Sequence, residues 1–337
     1  MPCAAYLAGD GPPRCLTVEE AADYRGSGFV WTQVDRLEDA DLATLREQGD
    51  IPDIAANALV ATETRPRCDR MDDGALINLR GLGEMATGDS DRLVSIRLWV
   101  RGGHVTSVSR RRLSATTDVV AQMEAGLILD SGDLVAAFAR AISGQLDPEV
   151  AALGDTLDDC ESELTPRRVY GLRSRIAKVR SEAIAYRRFV APDRDALTTL
   201  AALGFPWLAE DDRLHIREAA DRFSRMTEEL EAVRERAALI HEQLTDLRGE
   251  LMESRALLVS IVALVFLPLT FITGLFGMNV GGIPIDRNPY AFWWITGFCI
   301  ILSLAVAAYF FRIQWLRGSA AIEPAGSQDQ ASSSMSQ

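Results

Sequence analysis

The residues with the clearest chemical potential stand at the end of the first of two long apolar segments. The sequence reads TGLFGMNVGGIP over residues 273–284, so the segment closes in Gly277, Met278 and Asn279 and continues into further glycines. An asparagine amide and exposed backbone carbonyls offer neutral oxygens to a hydrated ion. A charged anchor, the more usual ending for such a segment, is missing here.

A stripe of small or weakly polar residues leads back from this point along the apolar segment. At helical spacing it comprises Ser260, Ala263, Leu267, Thr270 and Gly274, and it ends at Met278 or Asn279. A ring of leucines can close a water path by dewetting, while threonine hydroxyls can face a hydrated ion. A stripe of small residues is also how packed transmembrane helices approach one another. These residues alone therefore leave pore lining and helix packing open.

Two segments without a charged residue carry this stripe and its partner, at residues 256–276 and 291–311. Each is about 21 residues long, or about 30 Å as a helix, which matches the hydrocarbon core of a bilayer. We therefore predict two transmembrane helices. Neither contains Asp, Glu, Lys, Arg or His, which argues against a proton relay or carboxylate metal ligands inside the membrane. Pro268 should free the carbonyl of Leu264, and Thr270 is near enough to help compensate.

The charges that flank the two spans predict their orientation. The start MPCAAYLAGDGPPRC does not resemble a secretory signal, because it lacks a basic region and a continuous apolar core. Arg248 and Arg255 precede the first span, and Arg312 and Arg317 follow the second. The positive-inside rule then places both termini in the cytoplasm, with the loop 277–290 outside.

Composition excludes several classes of function. The formal charge of −13 argues against nucleic acid as a partner and would attract cations. The acidic patches at 157–164 and 209–212 are expected to be solvated helix surface, with cation collection as the alternative. We find no nucleophile constellation, phosphate loop or metal-ligand spacing, so we predict no catalytic residues and no resident cofactor.

Cysteine and histidine give no metal site. The five cysteines are scattered without a CxxC pair, which argues against a disulfide framework or a cysteine zinc site. His104, His215 and His241 form no close-spaced ligand pair and are expected to be surface or packing residues. The metal ligands are therefore unknown at this point.

Residues 1–147 are predicted to form a cytosolic α/β domain. The predicted strands are 28–35 and 74–81, together with a hairpin over 93–110 that turns at Gly102 and Gly103. The predicted helices are 50–62, 117–126 and 133–143.

Residues 148–255 are predicted to be a cytosolic helical region, with breaks at Thr165-Pro166 and Ala191-Pro192. Its long stalk helix, about 212–255, begins at Asp211 or Asp212 and continues into the first span, 256–276. A heptad seam runs along it: Ile216, Ala219, Phe223, Met226, Leu230, Val233, Ala237, Ile240, Leu244, Leu247 and Leu251. As one helix this rod would reach about 100 Å. We expect it to need partner subunits, as in a coiled coil.

The chain then continues through the loop 277–290 and the second span 291–311. The tail 312–337 is polar and rich in Ser and Gln, and we predict that it is partly disordered. Two spans enclose nothing, so any path for a solute must form between several subunits around an axis.

An α/β cytosolic domain, a long stalk helix, two C-terminal spans and Gly277-Met278-Asn279 after FLPLTFITGLF together resemble the CorA family of divalent-cation transporters. The resemblance implies a CorA-like funnel and a homopentamer whose outer pore mouth is formed by Gly277, Met278 and Asn279. It implies further that Thr270 and Leu267 are the pore-lining threonine and the hydrophobic gate.

Within that family, GMNVGGIP, TRPRC (64–68), ALINLRG and SIRLWV resemble the ZntB branch, which is associated with zinc. The magnesium and cobalt branch usually has an acidic residue soon after the signature, where this chain has Val-Gly-Gly-Ile-Pro. Family members commonly carry a dense lysine cluster after the second span, where this chain has only Arg312 and Arg317.

The sequence thus leads to a first hypothesis and two alternatives. The first is a homopentameric transporter of divalent metal ions, zinc foremost, in the bacterial inner membrane. The close alternative is a Mg²⁺, Co²⁺ or Ni²⁺ transporter of the CorA type, and the third is a membrane-anchored coiled-coil scaffold or sensor. Transport direction, coupling to protons and regulatory metal sites in the funnel stay open.

Overall fold

A computed structural model describes residues 5–9, 12–35, 51–61, 65–84, 92–165, 169–278 and 289–320. The chain divides into two compact units, residues 1–245 and residues 246–337.

The first unit contains a mixed seven-stranded sheet. Its strands are β1 (Ala5–Ala8), β2 (Arg14–Leu16), β3 (Phe29–Asp35), β4 (Arg67–Met71), β5 (Gly74–Leu82), β6 (Leu93–Arg101) and β7 (His104–Ser109). The strand order is β2-β1-β3-β7-β6-β5-β4, and only β3 and β7 pair in parallel. The predicted strands at 28–35 and 74–81 and the hairpin are confirmed. Gly103 has a φ of 85°, which the tight hairpin turn requires.

Seven helices lie in the described residues. They are α1 (Val18–Asp23), α2 (Asp53–Val60), α3 (Ser114–Glu124), α4 (Ser131–Ser162), α5 (Val169–Ala202), α6 (Glu210–Phe276) and α7 (Ala291–Ala320). One face of the sheet shares a continuous apolar core with α3, α4, α5 and α6. Smaller clusters pack α1 and α2 on the sheet, including Leu59 of α2 against Leu76 and Trp99.

Trp31 of β3 ties the sheet to the helices. Its ring is fully buried, stacks on Tyr6 at 5.4 Å and meets the edge of Phe138 at 5.7 Å. Its Nε1 donates a hydrogen bond of 2.9 Å to Ser107 Oγ. The strand predicted from its β-forming residues is thus held by apolar packing and by a satisfied polar group.

Two prolines lie inside helices, one at a predicted helix break and one at a predicted domain boundary. Pro192 lies inside α5, so the predicted break at Ala191-Pro192 is wrong. Pro148 lies inside α4, so the predicted boundary between residues 147 and 148 falls within a helix. Leu146 and Val150, on either side of Pro148, are both buried in the same core. This packing outweighs the hydrogen bond that the proline removes.

The heptad seam of α6 is covered by the chain itself. From Ile216 to Leu244 its residues are buried in one core with residues of α4 and α5, while Leu247 and Leu251 are half-buried. Arg236 of α6 also donates to Asp158 and Glu161 of α4 at 2.5 and 2.8 Å. The expectation that this seam needs partner subunits is therefore wrong. A three-helix core produces the same spacing as a coiled coil.

In the second unit, two helices are long and apolar enough to cross a membrane. The first is α6, which starts in the first unit and reaches Phe276 without a break, and the second candidate span is Phe292–Phe310 within α7. Both agree with the predicted spans 256–276 and 291–311. Helix α7 continues to Ala320, so the start of the predicted tail is helical, and residues 321–337 lie outside the described residues.

The cysteines differ from expectation at one position. Cys68, Cys160 and Cys299 are free thiols, but Cys15 is disulfide-bonded, so the prediction of no disulfide is wrong there. Cys15 is exposed on the edge strand β2.

Candidate pore-lining surface

The last turn of α6 depends on a glycine. The Gly277 backbone N–H donates a hydrogen bond of 2.9 Å to the Thr273 carbonyl oxygen. A Cβ at position 277 would lie 2.9 Å from that same oxygen, closer than real Cβ contacts allow. Met278 follows with 48% of its surface exposed. Asn279 lies outside the described residues, so its predicted role at the pore mouth stays a prediction.

The predicted stripe is exposed along its whole described length. Ser260, Ala263, Leu267, Thr270, Gly274 and Met278 are all exposed in the single chain. At 76%, Leu267 is the most exposed of the large apolar side chains described in α6.

The opposite side of the same span is partly covered. Its half-buried positions recur at helical spacing: Ile261, Val265, Pro268, Leu269, Ile272 and Phe276. At about 100° per residue this set centres on the side of the helix opposite the stripe. The stripe is therefore not the surface by which α6 packs within its own chain. Pore lining and packing against a helix of another copy are therefore the two explanations that apply to this exposed surface.

The hydroxyls of the span use their protons inside the helix. Ser260 Oγ donates to the Ala256 carbonyl at 2.9 Å, and Thr273 Oγ1 donates to the Leu269 carbonyl at 2.9 Å. Thr270 Oγ1 donates to the carbonyls of Phe266 and Leu267. A hydroxyl whose proton is engaged still has lone pairs to offer. Each oxygen can then act as an acceptor, which suits a cation and its water.

One detail of the sequence analysis is corrected by these contacts. Pro268 removes the donor for the Leu264 carbonyl, and Thr270 was expected to help replace it. Thr270 instead bonds the carbonyls three and four residues before it, those of Leu267 and Phe266. A threonine two residues after the proline reaches back one turn, which is too short to reach residue 264.

The described residues also hold one group of carboxylates close enough to take a metal ion. Oxygens of Asp130, Asp133 and Asp212 all lie within 4.8 Å of one another. Each already serves a helix start: Asp130 accepts from Asp133 N, Asp133 from Leu129 N and Asp212 from Ala209 N, at 2.9, 2.9 and 3.0 Å. Asp212 was predicted as a possible N-cap. It is instead the third residue of α6, and it bonds back to the capping position.

The environment of Asp212 disfavours its charge. The side chain is almost fully buried. This burial, followed by the charge of Asp130, raises the pKa of Asp212 from 3.8 to about 6. A methyl group on Gly132 of α4 would lie 2.1 Å from Asp212 Oδ2, so the first turns of α4 and α6 meet closely here.

The other candidate residues are dispersed. In the patch 157–164, Asp158 and Glu161 are paired with Arg236, which makes them part of a helix contact. His215 lies 3.6 Å from Asp211, and the carboxylate group near α4 contains no histidine among the described residues.

The fold and the exposed stripe define a class of protein: a membrane protein with a large α/β domain joined to its first span by one helix. The chain belongs to the family described as CorA-like Mg2+ transporter protein, whose model matches residues 26–312. The resemblance found in the sequence is thereby confirmed. The matched family is one of transporters.

Comparison with individual proteins adds detail to this family assignment. The chain is 32% identical over 287 residues to the zinc transport protein ZntB of Pectobacterium carotovorum, covering 85% of this chain and 88% of that one. It is 30% identical over 317 residues to ZntB of Yersinia pseudotuberculosis, covering 93% and 95%. Among solved structures, full-length CmaX matches with a TM-score of 0.75 and 28% identity over 93% of this chain and 97% of that one.

Sequence reasoning missed the carboxylates contributed by α4. Asp130 and Asp133 are about 80 residues from Asp212, and no spacing rule joins them. The signal that could have found them was Asp130-Ser131-Gly132-Asp133 itself, a helix start with a glycine where a close approach from another element is possible.

Proposed function

We propose that the protein transports divalent metal ions across a membrane, with zinc as its first substrate, through a path lined by the α6 stripe of several copies. The observation that carries this proposal is the exposed stripe with its accepting hydroxyls, which ends at Gly277. A single pair of spans cannot enclose a path, so the stripe becomes a lining only when copies surround an axis.

The stripe suits an ion that keeps most of its water. No acidic or histidine side chain lies in the described part of the first span, so the ion would meet neutral oxygens only. The Leu267 side chains of neighbouring copies would form an apolar ring, which can close by losing water. Asn279 would then offer its amide oxygen at the mouth. Each of these contacts is weak, which allows the ion to leave as well as to enter.

The ZntB relatives and the ZntB-like segments favour zinc. The family description names Mg²⁺, which favours magnesium as the second candidate. Coupling to protons is left open, because the two spans contain no carboxylate or histidine that would carry it.

The proposal includes location and assembly. We place the protein in the bacterial inner membrane as a homopentamer with both termini in the cytoplasm, as the arginines flanking the spans indicate. In this proposal, residues 256–276 form the pore-lining span, residues 277–290 form the outer loop and residues 291–311 form the second span. Residues before the first span would form the cytosolic part.

The test is metal uptake into liposomes that contain the purified full-length protein. Wild type should admit Zn²⁺ faster than Mg²⁺, Co²⁺ or Ni²⁺, and Asn279→Ala should lower the rate at least tenfold without changing the thermal unfolding midpoint. Asn288→Ala, in the same loop, is the matched control and should leave the rate unchanged. Equal uptake by liposomes with and without protein would refute transport and favour a scaffold or sensor.

A further inference from the structure

An open groove lies between α5 and α6 in the first unit, with a volume of about 300 Å³. Ile176 and Ala237 form its apolar floor and are fully buried. Ile184 forms a wall and is 50% exposed. Ala177, Arg180, Ser181 and His241 complete the lining, and Arg180 gives it a basic edge. We call this surface the α5–α6 groove.

A projecting leucine lies on another side of α6 at the same level. Leu239 is 59% exposed and lies in sequence between the groove residues Ala237 and His241. A step of two residues turns an α-helix by about 200°, so Leu239 points away from the groove. Glu235 and Glu242, one turn to either side, are exposed, and neither forms an ion pair with another described residue. We call these three residues the Leu239 face.

The two surfaces are complementary in shape and in charge. The groove is an apolar depression beside an arginine, and the Leu239 face is an apolar projection between two carboxylates. The part of α5 beside the groove, residues 173–188, carries six Arg or Lys residues and only one acid, Glu182. Three of the six already form ion pairs within the chain, with Glu163, Glu182 and Glu231, so the charge complementarity depends on the others, above all on Arg180 in the groove. A basic surface attracts an acidic one and holds it in register, while burying Leu239 removes apolar area from water.

We propose that the Leu239 face of one copy docks into the α5–α6 groove of the next copy of this chain. The occupant of the groove is therefore a second copy, and the charge complementarity selects it. This inference names a contact of the assembly that the proposed function requires, and so it rests on that function.

The geometry of the contact determines the kind of assembly. The groove and the Leu239 face are different surfaces, so the interface is heterologous and each copy uses both. Leu239 lies within about 3 Å of Ala237 and of His241 along the helix axis. Docking therefore needs little translation when neighbouring copies stand parallel in one membrane, and the proposal takes the contact to close into a ring, as a heterologous contact does when its rotation closes.

Cysteine cross-linking of the full-length protein in membranes tests the contact. The double variant Leu239→Cys with Ile184→Cys, mildly oxidised, should give a ladder of covalent species beyond the dimer on a non-reducing gel. The single variants should not. A ladder that stops at the dimer would mean a two-fold contact and would overturn the ring.

A matched control uses a second exposed leucine of the same helix. Leu214 is also 59% exposed, but it lies about 25 residues nearer the start of α6. Leu214→Cys with Ile184→Cys should give no ladder. If both cysteine pairs gave equal ladders, the disulfides would come from random collisions between copies and not from docking, and the proposal would be overturned.

Reversing charges at the proposed contact tests it independently. Arg180→Glu in the Leu239→Cys, Ile184→Cys chain should lower the cross-linked yield at least fivefold, and adding Glu242→Lys should restore most of it. All these side chains are exposed, so the fold should survive, and an unchanged unfolding midpoint verifies this. If neither Arg180→Glu nor the added Glu242→Lys changed the cross-linked yield, the proposal would be overturned.

The outcome separates this inference from the proposed function. A ladder without metal uptake by wild type would leave the contact in place and refute transport. Metal uptake without a ladder would leave transport in place and refute this contact.

Discussion

Helix α6 behaves differently before and after residue 245. In the first unit its regular apolar residues are buried against α4 and α5, and ion pairs such as Arg187–Glu231 at 2.8 Å support the packing. In the second unit the small-residue stripe from Ser260 to Met278 stays exposed in the single chain. The seam of the first stretch from Ile216 to Leu244 is buried within one chain, whereas the stripe of the second is not covered by the described residues of its own chain.

This difference teaches how to interpret periodicity along a single helix. Eleven apolar residues at heptad spacing suggested a contact between subunits, but for the nine from Ile216 to Leu244 the contact is internal. The weaker and less apolar stripe in the span is not covered by any part of its own chain that the structure describes. The proposed contacts between copies therefore involve the span and the Leu239 face, and not the part of the heptad seam that the chain itself buries.

The largest expected effect is on the buried side of α6. Phe223→Ala should lower the free energy of unfolding by about 3–5 kcal/mol, because a large, fully buried ring is lost from a close-packed core. Leu267→Ala should leave it within about 0.5 kcal/mol, because Leu267 is exposed in the chain. Chemical unfolding of the detergent-solubilised protein measures both. Similar losses from the two variants would erase the contrast between the stretches.

A second prediction concerns pH and the start of α6. The raised pKa of Asp212 means that the folded chain keeps a proton between pH 3.8 and about 6 that the unfolded chain has released. The stability that this group contributes is present below that interval and is lost as pH rises through it. Asp212→Asn is neutral at every pH. Its free energy of unfolding should therefore fall less across this interval, and it should be more stable than wild type at pH 7.

Thermal unfolding of full-length protein from pH 4 to pH 7, in the presence of EDTA, checks this. Asp221→Asn, an exposed acid on the same helix, is the control and should follow wild type. If the two variants have the same pH profile, the buried cluster is not the source of the slope.

The smallest effect compares two glycines of α6. A Cβ at Gly249 meets no atom within 4 Å, so Gly249→Ala should stabilise the helix by about 0.5–1 kcal/mol. At Gly277 the Cβ would crowd the Thr273 carbonyl, so Gly277→Ala should bring no gain and should slow metal uptake. Unfolding and uptake assays on both variants would distinguish them. A gain at both positions would mean that the last turn tolerates a side chain.

Much of the fold was predictable from local patterns. The hairpin at Gly102 and Gly103, the strand around Trp31 and both spans followed from alternation, turn residues and long apolar runs. The missed features depend on contacts between distant segments. Pro148 and Pro192 stay inside helices because their neighbours are buried, and β1, β2 and β4 are short strands with little pattern of their own.

The candidate site was predictable to a different degree. The stripe residues followed from helical spacing, but which side of α6 is exposed required the structure. The Asp130, Asp133 and Asp212 group depended on the meeting of two helix starts, which a single sequence does not encode locally.

The central claim is that the exposed stripe of α6 faces water in the assembled protein. Cysteine accessibility along the span tests it most directly: each of residues 260–278 is replaced in turn, and reaction with a charged, membrane-impermeant thiol reagent is measured in proteoliposomes against the unsubstituted chain. The account predicts that Ala263→Cys, Thr270→Cys and Gly274→Cys react and that Val265→Cys and Ile272→Cys do not. Reaction that is absent along the stripe, or strongest on the half-buried side, would contradict it.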